Sequence, residues 1–549
     1  MSNKEYADLL IPGITKTIED YEKMYPERNL DSNAIVTRYA PSPTGFVHMG
    51  ALFASFNERM MAKQSNGVFY LRIEDTDQKR SIENGISSIV KDLKNFKVEF
   101  DEGQVTETEY KGNYGPYIQS EREEIYKAFA KELIERDLAY PCFCTEEDLN
   151  KIRENQEDIK ARIGYYGSYA RCRKLTKEEV IEKIKNGEKY IIRLKSPGNF
   201  NNKFVFDDCI KGKMELPEND LDIVIIKGDG LPTYHFAHLV DDHLMRTTHV
   251  IRGDEWLSSV PIHVQLFNMF NFKVPKYAHI APLLKEEDGN RRKLSKRKDP
   301  EAAVSYYHEQ GIPVYAVLLY LATVSNSNFE AWFDNNKDKS YEEFKFDFKK
   351  MNTSGALFDL EKLMNISKNY ISRLTKEEVY NLALEWSLEF DIELYDLLVK
   401  YEDYSKSIFN IEREQKKPRK DIGAMNEIRK NIWYMFDELF NKEDKNYEYQ
   451  TITDKSEIKL ICSKYINEYF DINDDKDIWF NKLKDLASSL GYASEVKEYK
   501  ENPDKYKGSV ADISNIIRVG VTSKSQTPDL YVILNLLGSD RINKRISNI

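Results

Sequence analysis

Residues 34–50 read AIVTRYAPSPTGFVHMG, an apolar, β-branched run that ends at two prolines and a glycine. The run predicts a buried strand, and the prolines and glycine predict a turn, because they cannot continue a central strand. After the turn, apolar residues recur at helical spacing as far as Met60, so we expect a helix to begin near His48. The free N–H groups and the dipole of a helix start favour an anion, so this stretch predicts a phosphate site.

A second strand is predicted next along the chain. Residues 68–73, VFYLRI, are apolar in the same way and are followed by Glu74 and three further polar residues. Strand, helix and strand in this order give a right-handed parallel crossover. Ligands of such sheets bind at the carboxyl ends of the strands, which is where Arg38, His48 and Glu74 are expected.

A cationic segment lies far downstream at residues 291–298, RRKLSKRK. By itself, this segment is as consistent with a solvated charge patch or a nuclear-import signal as with a phosphate-binding loop. Lys293 and Lys296 are suited to triphosphate oxygens, because lysine is a point cation on a flexible stem. The nucleotide-binding pattern upstream favours the loop.

Five blocks in this order resemble the class I aminoacyl-tRNA synthetases and, within that class, the bacterial type of glutamyl-tRNA synthetase. Pro41 to Ala51 resembles the HIGH signature of the class, with Val-His-Met-Gly in place of His-Ile-Gly-His. Lys293 to Arg297 resembles the KMSKS signature. The remaining blocks are residues 71–77, 231–243 and 250–256. The resemblance runs from about residue 35 to about residue 363, with a fainter echo near residue 518.

The resemblance implies an α/β Rossmann-like nucleotide-binding catalytic domain with an α+β insertion, followed by all-α stem-contact and anticodon-binding domains. Composition and capping signals suggest where the boundaries fall. The predicted segments are an N-terminal extension at 1–33, two catalytic halves at 34–116 and 223–300, the acceptor-end-binding insertion at 117–222, the stem-contact domain at 301–375 and the anticodon-binding domain at 376–549.

The implied activity is ATP-dependent ligation of L-glutamate to tRNA through a glutamyl-adenylate, with Mg²⁺ bridging triphosphate oxygens. The implied catalytic residues are His48, Lys293 and Lys296. The residues implied for ATP binding are Pro41, Ser42, Thr44, Gly45, His48, Gly50, Lys293, Ser295 and Lys296. The residues implied for glutamate binding are Arg38, Ala40, Ser42, Glu74, Tyr234, His238, Arg252 and Trp256.

Several of these residues have a defined expected role and a structural alternative. Glu74 is suited to the α-amino group of glutamate and Arg252 to its γ-carboxylate, because a planar guanidinium grips a carboxylate at two points. An ion pair with Asp254 or Glu255 is the alternative for Arg252. A purely structural helix cap is the alternative for His48, and the preceding Pro-Ser-Pro-Thr-Gly disfavours it.

Two groups of residues have spacings that suggest metal ligands. Histidines at 235, 238 and 243 fall on a predicted amphipathic helix within one of the resembling blocks, so we predict no metal there. Cys142, Cys144 and Cys172 resemble the zinc ligands of some glutamyl-tRNA synthetases, but Lys174 replaces the histidine of that pattern. Tyr169 or another residue would have to complete a tetrahedron, and three reduced thiols without zinc are the favoured interpretation.

Composition bears on compartment and partners. The chain has 549 residues, five unevenly spaced cysteines and a net charge of −11. The cysteines favour a reducing compartment, and neither a signal peptide nor an apolar stretch of ~18 residues is evident. Binding of tRNA needs local positive charge, for which residues 171–174, 291–298 and 413–420 are candidates. We expect a cytoplasmic monomer that binds the glutamate tRNA, with the glutamine tRNA left open.

Two rival functions are considered at this point. A glutaminyl-tRNA synthetase is disfavoured because that family reads Pro-Glu-Pro-Asn where this chain has Pro41 to Thr44, and because residues beyond 376 are predicted to be helical. A non-catalytic tRNA-binding paralogue is disfavoured by the retention of His48 and of the loop lysines. In the helical C-terminal part, Arg518 is predicted either to contact RNA or to fix a loop.

Replacement of Lys296 by alanine should raise the barrier to adenylate formation by at least ~2 kcal/mol, because one positioned charge partner of the phosphates is removed. The measurement is ATP–pyrophosphate exchange in the presence of tRNA, which this family's exchange usually needs. Near-normal exchange in Lys296→Ala would remove the loop from the mechanism.

Overall fold

The computed structural model describes residues 1–43, 46–77, 82–295, 297–445 and 447–549. The chain forms two compact units. The first unit comprises Met1–Tyr306 and Leu318–Leu360, and the second comprises Tyr307–Val317 and Glu361–Ile549. The division after Leu360 falls inside the segment 301–375 that was predicted as one stem-contact domain, and the finer predicted boundaries stay predictions.

The strands are β1 Val36–Tyr39, β2 Val68–Leu71, β3 Glu102–Gln104, β4 Tyr110–Lys111, β5 Ala139–Cys142, β6 Ile191–Leu194, β7 Lys203–Asp208, β8 Gly212–Pro217, β9 Val224–Ile226, β10 His249–Gly253, β11 Lys276–Ile280, β12 Leu283–Glu287, β13 Asn290–Lys293 and β14 Ala356–Leu357. The helices are α1 Asn3–Leu10, α2 Ile18–Met24, α3 Met49–Gln64, α4 Gly85–Asn95, α5 Glu123–Glu135, α6 Glu146–Asp158, α7 Lys177–Lys185, α8 Tyr234–Leu244, α9 Val260–Met269, α10 Val304–Gln310, α11 Val314–Ser325, α12 Phe329–Asp334, α13 Leu360–Ile371, α14 Lys376–Phe390, α15 Ile392–Lys400, α16 Glu402–Phe409, α17 Glu427–Ile432, α18 Asp437–Phe440, α19 Lys455–Lys464, α20 Lys476–Ser489, α21 Val496–Glu501, α22 Val510–Thr522, α23 Leu530–Leu537 and α24 Ser539–Ile546. Among the described residues, none of these helices is both long enough and apolar enough to cross a membrane.

The predicted strand–helix–strand unit is confirmed. β1 and β2 pair in parallel, with Val36 opposite Val68 and Tyr39 opposite Leu71, and α3 forms the crossover between them. β3 continues the sheet in parallel beside β2, and β4 closes its edge in antiparallel. The carboxyl ends of β1 and β2 therefore lie side by side, as ligand binding in such a sheet requires.

The second half of the nucleotide fold joins this sheet through Thr248. The backbone N–H of Thr248 donates to the Val36 carbonyl at 3.0 Å, and its Oγ1 accepts from the Val36 N–H at 2.8 Å. Thr248 directly precedes β10, which pairs in parallel with β11 so that Arg252 lies opposite His279. The end of β10 is thus brought to the same side of the fold as the end of β1.

The predicted insertion is α+β, as expected. β5 and β6 pair in antiparallel, with α6 and α7 between them in sequence, while β7 and β8 form a separate hairpin. β9, which lies just beyond the predicted end of the insertion at residue 222, also pairs in antiparallel with β6. The hairpin meets the catalytic sheet where the Cys209 N–H donates to the Tyr277 carbonyl at 2.8 Å. Residues of the insertion therefore reach β11, which pairs with β10.

The N-terminal segment 1–33 is folded into the first unit rather than extending from it. Its helices begin at capping boxes, and Ala7, Leu10, Tyr21 and Tyr25 are buried. Glu22 of α2 accepts hydrogen bonds from Arg246 and His243 at the end of α8. The segment thus contacts the C-terminal end of α8, the helix that carries part of the predicted site.

The second unit is helical, in agreement with the prediction for the C-terminal half. Apolar residues spaced along its helices form one core, exemplified by Leu394, Leu398, Phe409 and Ile517. Except for α21, which has no buried residue, the helices from α13 onward each bury one face, because residues three and four positions apart share a side of a helix.

Candidate active site

A cavity of about 490 Å³ lies at the ligand edge of the catalytic sheet. It combines the turn after β1, the start of α3, the end of β10 and the region of β13. The predicted site residues that line it are Ala40, Pro41, Ser42, His48, Gly50, Trp256 and Lys293. Two motifs separated by more than two hundred residues in sequence are therefore brought to one cavity. The predicted residues Thr44, Gly45 and Lys296 lie outside the described residues.

His48 is the N-cap residue of α3 and lies at the cavity. Its Nδ1 accepts the backbone N–H of Ala51 at 3.0 Å. In a neutral imidazole the proton is then on Nε2, which makes that nitrogen a donor. The ring fits because residue 50 is glycine: a Cβ there would lie 3.1 Å from Nδ1. Capping of α3 by Nδ1 is thus compatible with the predicted contact of His48 with a ligand, which would use Nε2.

Asp242 of α8 holds two arginines at the ends of β1 and β2. Its Oδ1 accepts from Arg38 Nε at 3.1 Å and from Arg72 Nη1 at 2.6 Å. Burial opposes ionisation of Asp242, but the two guanidiniums outweigh burial and lower its pKa to about 2. Among the described residues, Arg38 has this one carboxylate partner, which it contacts through Nε.

Glu74 belongs to the same network. Arg72 Nη2 donates to Glu74 Oε1 at 3.0 Å. Burial raises the pKa of Glu74, and Arg72 together with Arg38 offsets only part of that effect. The residue predicted to take the α-amino group is therefore fixed by a buried ion pair, next to Arg38.

Arg252 is buried, with 7% of its surface exposed, and has no carboxylate partner among the described residues. The alternative ion pair is wrong: Asp254 pairs with Lys211 at 3.1 Å, and Glu255 pairs with Lys293 at 3.3 Å. A buried guanidinium without a counter-ion is costly to desolvate, so this arrangement favours an anionic ligand.

Aromatic rings enclose Arg252. Tyr234 Oη accepts from Arg252 Nη1 at 3.3 Å, and the carbonyl of Trp256 accepts from Nη2 at 3.2 Å. The Tyr234 and Trp256 rings lie 4.5 Å apart between centroids. Trp256 lines the cavity, whereas Arg252 and Tyr234 are not among its lining residues. Both aromatics contact Arg252, and their binding of glutamate stays a prediction.

The histidines once compared with metal ligands have separate partners. His235 Nδ1 lies 3.0 Å from His263 Nε2, and His238 Nε2 lies 3.0 Å from Tyr277 Oη. His243 contacts Glu22 instead. His238 Nδ1 lies 3.1 Å from Asp242 Oδ2 without forming a hydrogen bond. Burial holds the pKa of His238 well below its usual range.

The cationic loop is tied to acidic neighbours. Lys293 is the last residue of β13 and its Nζ contacts Glu255. Arg292 forms a two-point contact with Asp299, at 2.6 and 2.8 Å, and Asp299 also accepts from the Ser295 N–H at 2.9 Å. Arg292 and the Ser295 backbone are thereby held in place, and Lys293 has only an exposed partner, a weak contact that a phosphate can replace.

Several residues that shape the site were not identified from the sequence. They are Arg72, Asp242, His263, His279 and Asp208. Arg72 and Asp242 lie within the blocks quoted above, and a charged residue in an otherwise apolar strand or helix face is a usable signal for a buried ion pair. His263, His279 and Asp208 carry no local signal, because their contacts join segments distant in sequence.

The three cysteines of the insertion converge. Their sulfur atoms lie within 4.8 Å of one another, and Cys144 Sγ is 3.7 Å from Cys172 Sγ. The nearby hydroxyl is that of Tyr165, at 3.3 Å from Cys144 Sγ and 3.5 Å from Cys142 Sγ. Tyr165 thus occupies the position for which Tyr169 had been named. Three converging thiols match the thiolate ligands of tetrahedral Zn²⁺ sites, and the Tyr165 hydroxyl is the fourth polar atom beside them.

Most arginines of the predicted basic surfaces form ion pairs or hydrogen bonds within the protein. Arg171 and Arg173 pair with Asp148 and Asp222. Arg413 donates to backbone carbonyls of Phe409, Ile371 and Leu374. Lysines at 174, 416, 417 and 420 are exposed.

Arg518 fixes a loop. Its Nη1 donates to the Thr527 carbonyl at 3.0 Å, to Thr527 Oγ1 at 2.7 Å and to the Pro528 carbonyl at 3.2 Å. These contacts account for the loop-fixing role named for it, and contact with RNA stays a prediction.

Comparison with known proteins gives one consistent result. Residues 34–364 match the family described as tRNA synthetases class I (E and Q), catalytic domain. The glutamate–tRNA ligase of Clostridium perfringens (strain 13 / Type A) is 50% identical over 547 residues, covering 100% of both chains. That of Acetivibrio thermocellus is 46% identical over 550 residues, also covering 100% of both. The crystal structure of a glutamate tRNA ligase from Elizabethkingia meningosepticum CCUG26117, in complex with its amino acid, has a TM-score of 0.75 and 26% identity, covering 94% of this chain and 98% of that one.

Asp242→Asn should lower the free energy of unfolding by about 3–5 kcal/mol, because it leaves two buried guanidiniums without their shared charge. The folded-state pKa of about 2 lies below the ordinary 3.8, so the contribution of Asp242 is fully present above about pH 4 and is lost as pH falls toward 2. Urea unfolding at pH 7 and pH 3 measures both effects. Asp31→Asn, at an exposed aspartate, is the matched control, and equal stability of the two variants would contradict the assigned role.

Proposed function

This chain belongs to the class I tRNA synthetases of the glutamyl and glutaminyl type, and we propose that it joins L-glutamate to tRNA, forming AMP and pyrophosphate from ATP. The observation that carries the choice of glutamate is Arg252, a buried guanidinium whose described partners are all neutral. A carboxylate at the end of the amino-acid side chain supplies the missing charge.

Activation of glutamate is proposed to occur in the cavity that His48 and Lys293 line. An α-carboxylate oxygen of glutamate attacks the α-phosphorus of ATP, the bond to the bridging oxygen breaks, and pyrophosphate leaves with the electron pair. The attacking carboxylate is already ionised, so no general base is needed. Catalysis then depends on positioning and on stabilising the charge of the phosphoryl oxygens.

His48, Lys293 and the start of α3 are the groups proposed to contact those oxygens. Nε2 of His48 donates a hydrogen bond, Lys293 exchanges Glu255 for a phosphate, and the helix start adds backbone N–H groups. Pro41, Ser42, Gly50 and Ser295, together with Thr44, Gly45 and Lys296, stay predicted as ATP contacts. Mg²⁺, when bound, would neutralise triphosphate charge. Glu255 supplies the one carboxylate among the described residues that line the cavity, so most of the oxygen ligands of the metal would come from the nucleotide.

Glutamate is proposed to lie between two charged groups of opposite sign. Arg252 takes the γ-carboxylate, and Glu74 takes the α-amino group with Arg38 beside it. Tyr234 and Trp256, whose rings pack against each other at a tilt of 35°, are proposed to cover the site. Ala40, Ser42 and His238 stay predicted as further contacts. The resulting glutamyl-adenylate is attacked at its carbonyl carbon by a hydroxyl of the terminal tRNA ribose, and AMP leaves.

The tRNA is proposed to contact exposed lysines, at 174 in the insertion and at 416, 417 and 420 in the second unit. The five described cysteines are free, which supports a reducing, cytoplasmic location.

Arg252→Gln should reduce kcat/KM for glutamate by at least about 10²-fold, because the γ-carboxylate loses a buried charge partner. The measurement is aminoacylation of purified glutamate and glutamine tRNAs with labelled glutamate and, separately, labelled glutamine. Arg153→Gln, at an exposed arginine of α6, is the control and should behave as wild type. Transfer of glutamine by the wild-type protein, or an unimpaired Arg252→Gln variant, would contradict the role of Arg252.

We also propose that Cys142, Cys144, Cys172 and Tyr165 bind one Zn²⁺, in contrast to the expectation from sequence. Elemental analysis of the purified, dialysed protein should give about one zinc per chain, and Cys172→Ser should lose most of it. Cys209→Ser, outside the cluster, is the control and should retain the metal. A wild-type protein without zinc would contradict this proposal.

A further inference from the structure

Two histidines contact the Arg252 guanidinium, and one of them, His279, also contacts Asp208. Arg252 Nε donates to His279 Nε2 at 3.1 Å, and Nη1 lies 3.2 Å from His263 Nδ1. His279 Nδ1 lies 2.6 Å from Asp208 Oδ2, and both residues are buried. Asp208 ends β7 of the hairpin in the insertion, so the chain of contacts joins the insertion to the amino-acid site.

The direction of each hydrogen bond in this chain is fixed. Arginine only donates, so His279 Nε2 and His263 Nδ1 both accept. His279 Nδ1 must then carry the proton and donate to Asp208, while His263 Nε2 donates to His235 Nδ1 at 3.0 Å. Burial lowers the pKa of His263 well below its usual range and that of His235 to about 4. Each imidazole is neutral and in one tautomer.

Asp208 is what selects the tautomer of His279. Its Oδ1 accepts from the backbone N–H groups of Ile210 and Lys211, each at 2.9 Å, and its Oδ2 accepts from His279 Nδ1. The backbone N–H of His279 also contacts both oxygens, at 3.3 Å from Oδ1 and 3.2 Å from Oδ2. Burial raises the pKa of Asp208, but His279 and these backbone donors outweigh burial and lower it, so the carboxyl is ionised. An ionised carboxylate only accepts, so the opposite tautomer would leave two acceptors facing each other.

We propose that Asp208 and His279 are positioning residues that fix the Arg252 guanidinium in the orientation that binds the γ-carboxylate of glutamate and rejects the γ-amide of glutamine. The inference rests on the proposed function, since it specifies how that site recognises its amino acid. Neither residue touches the substrate. Their effect passes through Arg252 Nε.

Rejection of the amide follows from the count of acceptors. The described acceptors around Arg252 are His279 Nε2, His263 Nδ1, Tyr234 Oη and the Trp256 carbonyl, and each already receives an Arg252 N–H. Tyr234 accepts from Arg252 and so has its own hydrogen to donate. A carboxylate accepts from both groups, whereas an amide NH₂ in the same place faces donors and stays unpaired.

Asp208→Asn tests the proposal with almost no change of shape. The asparagine oxygen should stay with the backbone N–H groups of Ile210 and Lys211, and the His279 N–H can share that oxygen, as it does Oδ1 now. This orientation turns the asparagine NH₂ toward His279 Nδ1. His279 must then accept at Nδ1 and carry its proton on Nε2, against Arg252 Nε–H. We expect the KM for glutamate to rise about tenfold or more, with the KM for ATP changed less than about twofold. Asp207→Asn, at the exposed neighbour on β7, is the matched control and should match wild type.

A second pair of variants does not depend on the folding of Asp208→Asn. His279→Gln can still accept from Arg252 and donate to Asp208, and should stay within about threefold of the wild-type KM for glutamate. His279→Leu has no acceptor and should show the full rise. The double variant Asp208→Asn/His279→Gln should recover most of the loss of Asp208→Asn. A glutamine carbonyl oxygen has two lone pairs and can accept from both Arg252 Nε and the asparagine NH₂, whereas a neutral imidazole has one acceptor nitrogen.

Nitrogen NMR of protein labelled with ¹⁵N-histidine gives a readout independent of activity. His279 Nε2 should appear unprotonated in the wild type and protonated in Asp208→Asn. An unchanged tautomer, equal KM values for His279→Gln and His279→Leu, or an equal rise in the KM for ATP would overturn the proposal. A wild-type protein that transfers no glutamate would instead contradict the proposed function, while the NMR result would still report on Asp208.

Discussion

The site depends on the burial of Asp242 between Arg38 and Arg72. Arg38 is on β1, Arg72 follows β2 and Asp242 is on α8, so one carboxylate links three elements of the nucleotide fold. Neighbouring Asp241 extends the link, because Arg122 and Tyr126 at α5 both donate to it. In a low-dielectric interior such pairs are strongly directional, and a partner left alone is expensive. The ends of β1 and β2 are therefore fixed before any ligand binds.

A second arrangement of charge complements the first. The cluster around Asp242 pairs its arginines with carboxylates, whereas Arg252 is surrounded by imidazoles, a phenol and a carbonyl. Arg38, Arg72 and Arg252 are all buried, and among these three Arg252 is the one without a carboxylate partner in the described part of the chain. The difference separates a structural role from a ligand-binding role more clearly than burial does, since buried ionic groups occur in both.

The local pattern was sufficient for much of the fold. The apolar run before Pro41, the helical spacing after His48 and the second apolar run at β2 led to the observed strand–helix–strand unit, and the helical periodicity beyond residue 376 led to the helical second unit. The placement of segment 1–33 was harder to predict. Its charges suggested an extension, but its buried tyrosines and leucine pack against residues far along the chain. The spacing of the cysteines indicated which three sulfurs come together but did not indicate Tyr165. Folding of the loop before α7 brings its hydroxyl to them.

The sequence by itself determined which residue types occur in which order: a phosphate-binding turn, a cationic loop, and arginines at strand ends. These features follow from backbone stereochemistry and periodicity, which are local properties of the chain. Only the tertiary structure decided which arginine is paired and which is not, that His48 caps α3 through one ring nitrogen, and that Asp208 reaches Arg252 through His279. The physical reason is that charge pairing and tautomer choice depend on distances between segments separated by tens to hundreds of residues, and no local pattern encodes those distances.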